Sequence, residues 1–95
     1  MKTECDIDFL YYSELLKALG HPVRLKIVVG ILCEGCNVNG IVERLQIPQS
    51  TVSQHLAVLR NKGIITAHKD GVNTCYKVEN DFVLRTIELL KRRND

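Results

Sequence analysis

Nowhere do about 18 apolar side chains follow one another, so no membrane-crossing helix is expected. The start, Met1-Lys2-Thr3-Glu4-Cys5-Asp6, carries acids where a secretory leader would carry an apolar core. The chain is therefore expected in the cytoplasm. No internal repeat, low-complexity stretch or linker interrupts the 95 residues, a length suited to one domain spanning 1–95. No phosphate-cradling glycine loop and no nucleophile–base pair is visible, which argues against an enzyme. Acids are scarce in one region. Between residues 48 and 78 the only acid is Asp70, against Arg60, Lys62, Lys69 and Lys77.

What is present reads as a globular chain: 45% apolar and 25% charged, which excludes disorder. The net charge is only +2, but residues 1–47 carry −1 and residues 48–95 carry +3. A locally basic half suits phosphate contact. So short a chain buries a limited core, and dimerisation is a natural supplement.

Apolar periodicity predicts five helices. The first runs from Phe9 to Leu19 with Tyr12, Leu15, Leu16 and Leu19 on one side, Asp6 or Asp8 as cap and Gly20 as stop. The second starts at Pro22, a favoured first helical residue, and runs to about Leu32. It buries Leu25, Ile27, Val28, Ile31 and Leu32. Asn37 is expected to cap a short third helix carrying Val38, Ile41, Val42 and Leu45. Pro48 disfavours helix at Ile47, so the break belongs there. The fourth helix runs from near Gln49 to before Gly63, with Val52, Leu56 and Leu59 inward. Two β-prone runs, from Ile64 and from Thr74, flank Asp70-Gly71 as a hairpin. A last helix follows Asn80, with Val83, Leu84, Ile87 and Leu90 on one side. The fold class is mainly α with a β-hairpin wing, in the order α-α-α-α-β-β-α.

The outer side of the fourth helix carries Ser50, Ser53, Gln54, Ala57 and Asn61. These are small and uncharged, and most can hydrogen-bond, whereas a merely solvated face favours Glu and Lys. Two helices joined by a tight turn, the second with such a face, make a helix-turn-helix over about 37–62, followed by a wing over about 64–78. Gln49, Ser50, Thr51, Ser53 and Gln54 are candidates for base edges or phosphates in the major groove, and His55 for packing or a phosphate. Arg60 and Lys62 at the helix end, and Lys69, Asn73 and Lys77 in the hairpin, are candidates for the flanking backbone. The partner is then double-stranded operator DNA. The competing reading, an ordinary helix pair in a small bundle, leaves the basic hairpin unexplained.

Two longer segments carry a family resemblance. Leu16-Lys17-Ala18-Leu19-Gly20-His21-Pro22-Val23-Arg24-Leu25-Lys26-Ile27 resembles the helix 1–2 signature of the ArsR/SmtB repressors. Gln49-Ser50-Thr51-Val52-Ser53-Gln54-His55-Leu56-Ala57-Val58-Leu59-Arg60 resembles their recognition helix, and Gly63-Ile64-Ile65 with the stretch 71–76 resembles their wing. The resemblance covers about residues 9–90. It implies a homodimer built on the first and last helices, repressing an operator until an inducer binds. Independently of it, Phe9, Leu10, Tyr11, Tyr12 and Phe82 would be awkward to leave in water.

The inducer is less legible. Many members carry two cysteines at the start of helix 3, where this chain has Asn37 and Asn39. Another branch binds metal through the last helix, but residues 81–93 hold no histidine and no cysteine. A thiol-sensing branch uses a helix 2 cysteine at the position of Val29. What remains is Cys33-Glu34-Gly35-Cys36, a C-x-x-C pair at the helix 2–3 junction. Such thiols can form a disulfide or polysulfide link, or half of a tetrahedral site for a thiophilic metal or arsenite, and Cys5 from the same or the partner chain can add to a trigonal or tetrahedral set. They can equally be small buried hydrophobes. Cys75 alternates with Tyr76 and is expected to face away from the core. His21 is expected to cap helix 2, and His68 to lie on the first wing strand. A dithiol oxidoreductase lacks its βαβ context here. A winged helix serving only protein assembly would bind DNA weakly and without salt dependence.

Overall fold

The computed structural model describes residues 6–35 and 38–93. The order is α1 (Phe9–Leu19), α2 (Pro22–Glu34), α3 (Asn39–Leu45), α4 (Gln49–Asn61), β1 (Ile65–Asp70), β2 (Asn73–Val78) and α5 (Asp81–Arg93). Among the described residues no helix is long and apolar enough to cross a membrane.

Local chemistry sets the element ends. The Asp8 side chain accepts from the Tyr11 amide, and the His21 Nδ1 accepts from the Val23 amide, so both helices begin on a side-chain cap. The Asn80 side chain accepts from the Val83 amide at 3.1 Å and starts α5. α3 ends on Gln46 in the left-handed region, φ 54°, which reverses the chain before Pro48. Gly71 at φ 66° opens the two-residue turn Gly71-Val72, closed by the Asp70–Asn73 pair. The turn centre therefore lies one residue beyond the expected Asp70-Gly71.

Among the described residues sixteen apolar side chains form the core, drawn from every helix and from the base of the hairpin. Leu15, Ile27, Val52, Leu59, Ile64 and Ile87 are among the most deeply buried. Burial of this kind contributes about 25 cal/mol per Å² of apolar surface and outweighs propensity in so small a chain. Gly30 is also interior. A Cβ there would meet Ile41 Cδ1 at 2.6 Å, so glycine lets α3 close on α2.

Several expectations change. Leu16 is 51% exposed, and Ala18 takes its place in the core. Leu25, Leu32 and Leu84 are half-buried and pack against the core from its margin, and Leu90 is exposed. α3 begins at Asn39, with Val38 as its flanking residue and not within the helix. The Asn37 cap lies outside the described residues. Cys75 faces away from the core as expected, since Tyr76 and Val78 are the residues of β2 that meet it, and is half-buried beside a cleft with Ile31 and Leu32.

Candidate nucleic-acid interface

The stripe Val52, Leu56 and Leu59 fastens α4 to the core, which turns the opposite side of the helix outward. Ser50, Ser53, Gln54, Ala57 and Asn61 are all exposed there, as is Gln49 at the first turn. Thr51 is half-buried on the flank. α3 precedes α4 across the short turn Gln46-Ile47-Pro48, and the hairpin follows it. This geometry suits a major groove. Small side chains permit close approach, and their amides and hydroxyls match base edges or phosphates.

Arg60 is exposed in the last turn of α4, and Lys69 and Asn73 are exposed near the hairpin tip. Lys77 pairs with Thr66 near the hairpin base and borders a cleft with Ile31 and Leu32, farther from the tip. At the tip itself Val72 is 96% exposed.

Two of the candidate DNA residues also make contacts within the fold. His55 is half-buried, and its Nδ1 accepts from Arg24 Nε at 3.2 Å. Its ring lies 4.6 Å from that of His21. Burial first, then the neighbouring His21 and Arg24 charges, lower its pKa from the ordinary 6.5. The ring thus joins the recognition helix to the start of α2, a role that helical spacing alone does not reveal. Lys62 is the second: its Nζ lies 2.6 Å from Glu14 Oε1 on α1. His21 caps α2 as expected, and His68 lies exposed on β1.

Of the candidate sensing residues, Cys33 is exposed in the last turn of α2. Cys36 and Cys5 lie outside the described residues. Among the described residues no group of three or more His, Cys, Asp or Glu side chains is arranged to hold a metal ion.

α1 and α5 leave a broad apolar surface uncovered. Phe9 is 67% exposed, Leu10 75% and Leu89 64%. Tyr12 and Phe82, by contrast, pack edge to face at 4.9 Å and tie the two helices together. The Tyr11 hydroxyl accepts from Asn80 Nδ2 at 3.1 Å and extends the tie.

Helix-turn-helix, hairpin and outer helices together define a winged-helix DNA-binding protein. A family model described as bacterial regulatory protein, arsR family, matches residues 21–67. Transcriptional repressor PagR of Bacillus anthracis is 42% identical over 79 residues, covering 82% of this chain and 79% of PagR. Among solved structures, HlyU from Vibrio cholerae superposes with a TM-score of 0.83 at 33% identity, covering 92% of this chain and 95% of that one. The PagR crystal structure gives 0.76 at 40% identity, covering 86% and 94%. The chain belongs to the ArsR family and is a transcriptional regulator, not an enzyme.

Proposed function

We propose that the chain is a cytoplasmic homodimeric repressor that holds an operator through α4 and the wing and releases it on thiol chemistry at Cys33 and Cys36. The uncharged, exposed, hydrogen-bonding face of α4 carries this reading. The uncovered apolar surface of α1 and α5 supports a two-fold pair. Such a pair sets two recognition helices about 34 Å apart on a near-palindromic site. The sensing part is supported by the exposed Cys33 thiol at the end of α2, next to the connection leading into α3. Joining two sulfurs there, with two protons and two electrons passing to the oxidant or to a reactive sulfur species, would distort that connection. The helix-turn-helix would tilt, and the spacing of the recognition helices would change.

A mobility shift on the DNA upstream of its own gene tests this. Protein is compared reduced, oxidised, persulfidated, and with arsenite, zinc or cadmium, for wild type, Cys33→Ser and Cys36→Ser. The reading expects release of wild type by oxidant or persulfide, and none in either variant. Release by arsenite or a thiophilic metal alone would move the input to metal binding. Equal release in wild type and variants would remove the cysteines from the mechanism.

A further inference from the structure

Three helices each turn one face toward a single cavity of about 810 Å³. From α2 come residues at helical spacing from Pro22 to Glu34, and from α3 and α5 one turn each. The walls are aliphatic: Leu25, Val29, Ile41, Leu45, Ile87 and Leu90. The volume falls in the range of small-molecule sites, roughly 300–1,000 Å³. α2 alone gives it a length of about 16 Å between Pro22 and Cys33, at about 1.5 Å per residue.

The charge on its rim is one-sided. Arg44 is paired to Glu34, so those two cancel. Lys26 and Lys91 also border the cavity, both exposed, and neither forms an ion pair among the described residues. An aliphatic trough with two unneutralised ammonium groups is complementary to a molecule with a long apolar tail and one anionic head. A neutral apolar ligand would leave the lysines unused. A small polar anion would leave the trough wet.

We propose that this trough binds a medium-chain acyl carboxylate, its tail along the α2–α3–α5 walls and its head between Lys26 and Lys91. A tail here presses on Ile41 and Leu45 of α3, the first helix of the helix-turn-helix. Ile41 already packs on Gly30 with no room to spare. Ligand in the trough therefore contacts α3 directly where it packs on α2, and so biases the position of the first helix of the helix-turn-helix. The consequence for DNA rests on the repressor reading; the binding itself does not.

The test is displacement of a fluorescent long-chain polyene carboxylate from the full-length protein, below the micelle concentration of every competitor. Dodecanoate is expected to displace the probe, hexanoate at least tenfold less well. The Lys26→Gln/Lys91→Gln variant is expected to weaken dodecanoate at least tenfold and to leave dodecanol unchanged. No displacement by dodecanoate would overturn the proposal, as a partner subunit covering the trough would produce. Equal affinity for dodecanoate in wild type and the double variant would overturn it as well. The titration contains no DNA, so a failure of operator binding, seen with ligand-free protein, is read separately.

Discussion

Lys62 Nζ sits 2.6 Å from Glu14 Oε1, so the C-terminal cap of the recognition helix is fastened to the first helix of the chain. The Lys62 hydrogen bond and charge, with Lys17 adding to them, hold the Glu14 carboxyl below its ordinary pKa of 4.5. The pair is therefore intact above that pH and is lost as acid titrates the carboxyl. While it holds, the ammonium is withheld from phosphate. Glu14→Gln frees it. The salt dependence of DNA binding, measured as log K against log salt concentration, is expected to steepen by up to about one unit. An unchanged slope would mean that Lys62 does not reach DNA even when released.

His55 gives the fold a pH dependence of definite sign. Its folded pKa is lowered, so the unfolded chain takes up the proton first as pH falls. Stability is full above about 6.5, the unfolded value, and is lost as pH drops toward the folded value. Thermal unfolding of wild type should show a fall in midpoint below that pH. His55→Asn, which cannot titrate, should flatten the fall while lowering the midpoint at neutral pH. Parallel profiles for the two proteins would show that the ring contributes no linkage.

Gly30 is a packing position, not a turn. Adding a methyl group against Ile41 costs about 1–3 kcal/mol in a filled core. Alanine recovers roughly 1 kcal/mol of helix propensity. Urea unfolding of Gly30→Ala is expected to show a net loss of up to about 2 kcal/mol. Gly30→Ala/Ile41→Val should recover part of it. A more stable Gly30→Ala protein would show that α3 yields freely.

The outer face of α1 and α5 supplies the test of assembly. Leu10 and Leu89 are well exposed, so neither Leu10→Glu nor Leu89→Glu disturbs the core. Sedimentation should show these variants shifted to monomer, with weaker operator binding, because the two half-sites are no longer read together. Dimers of unchanged stability would place the interface elsewhere.

Local spacing made the order of elements readable. The Val52, Leu56, Leu59 stripe and its polar counterface in α4 stand as the pattern required. Pro22, Gly20 and Asn80 marked helix ends because their backbone chemistry is local. Leu16 was misjudged for a physical reason. Periodicity gives an angle around a helix axis, and α1 has two apolar sides: Leu15 and Ala18 meet the core, while Phe9, Leu10 and Leu16 stay uncovered. Long-range partners were not legible either. Nothing in the run from Gln49 to Arg60 says that His55 turns back to Arg24. Nor does anything near Lys62 point to Glu14, 48 positions earlier. The trough between α2, α3 and α5 was equally hidden, since it exists only once three separated segments converge.

The central claim is that the exposed face of α4 reads base edges. Fluorescence anisotropy measures it directly, titrating wild type, Ser53→Ala and Gln54→Ala onto the protein's own upstream duplex and onto a scrambled duplex of equal length. Each substitution should weaken the upstream complex by about 1–3 kcal/mol and leave the scrambled one unchanged. Affinities that stay equal across all three proteins on the upstream duplex would contradict the account.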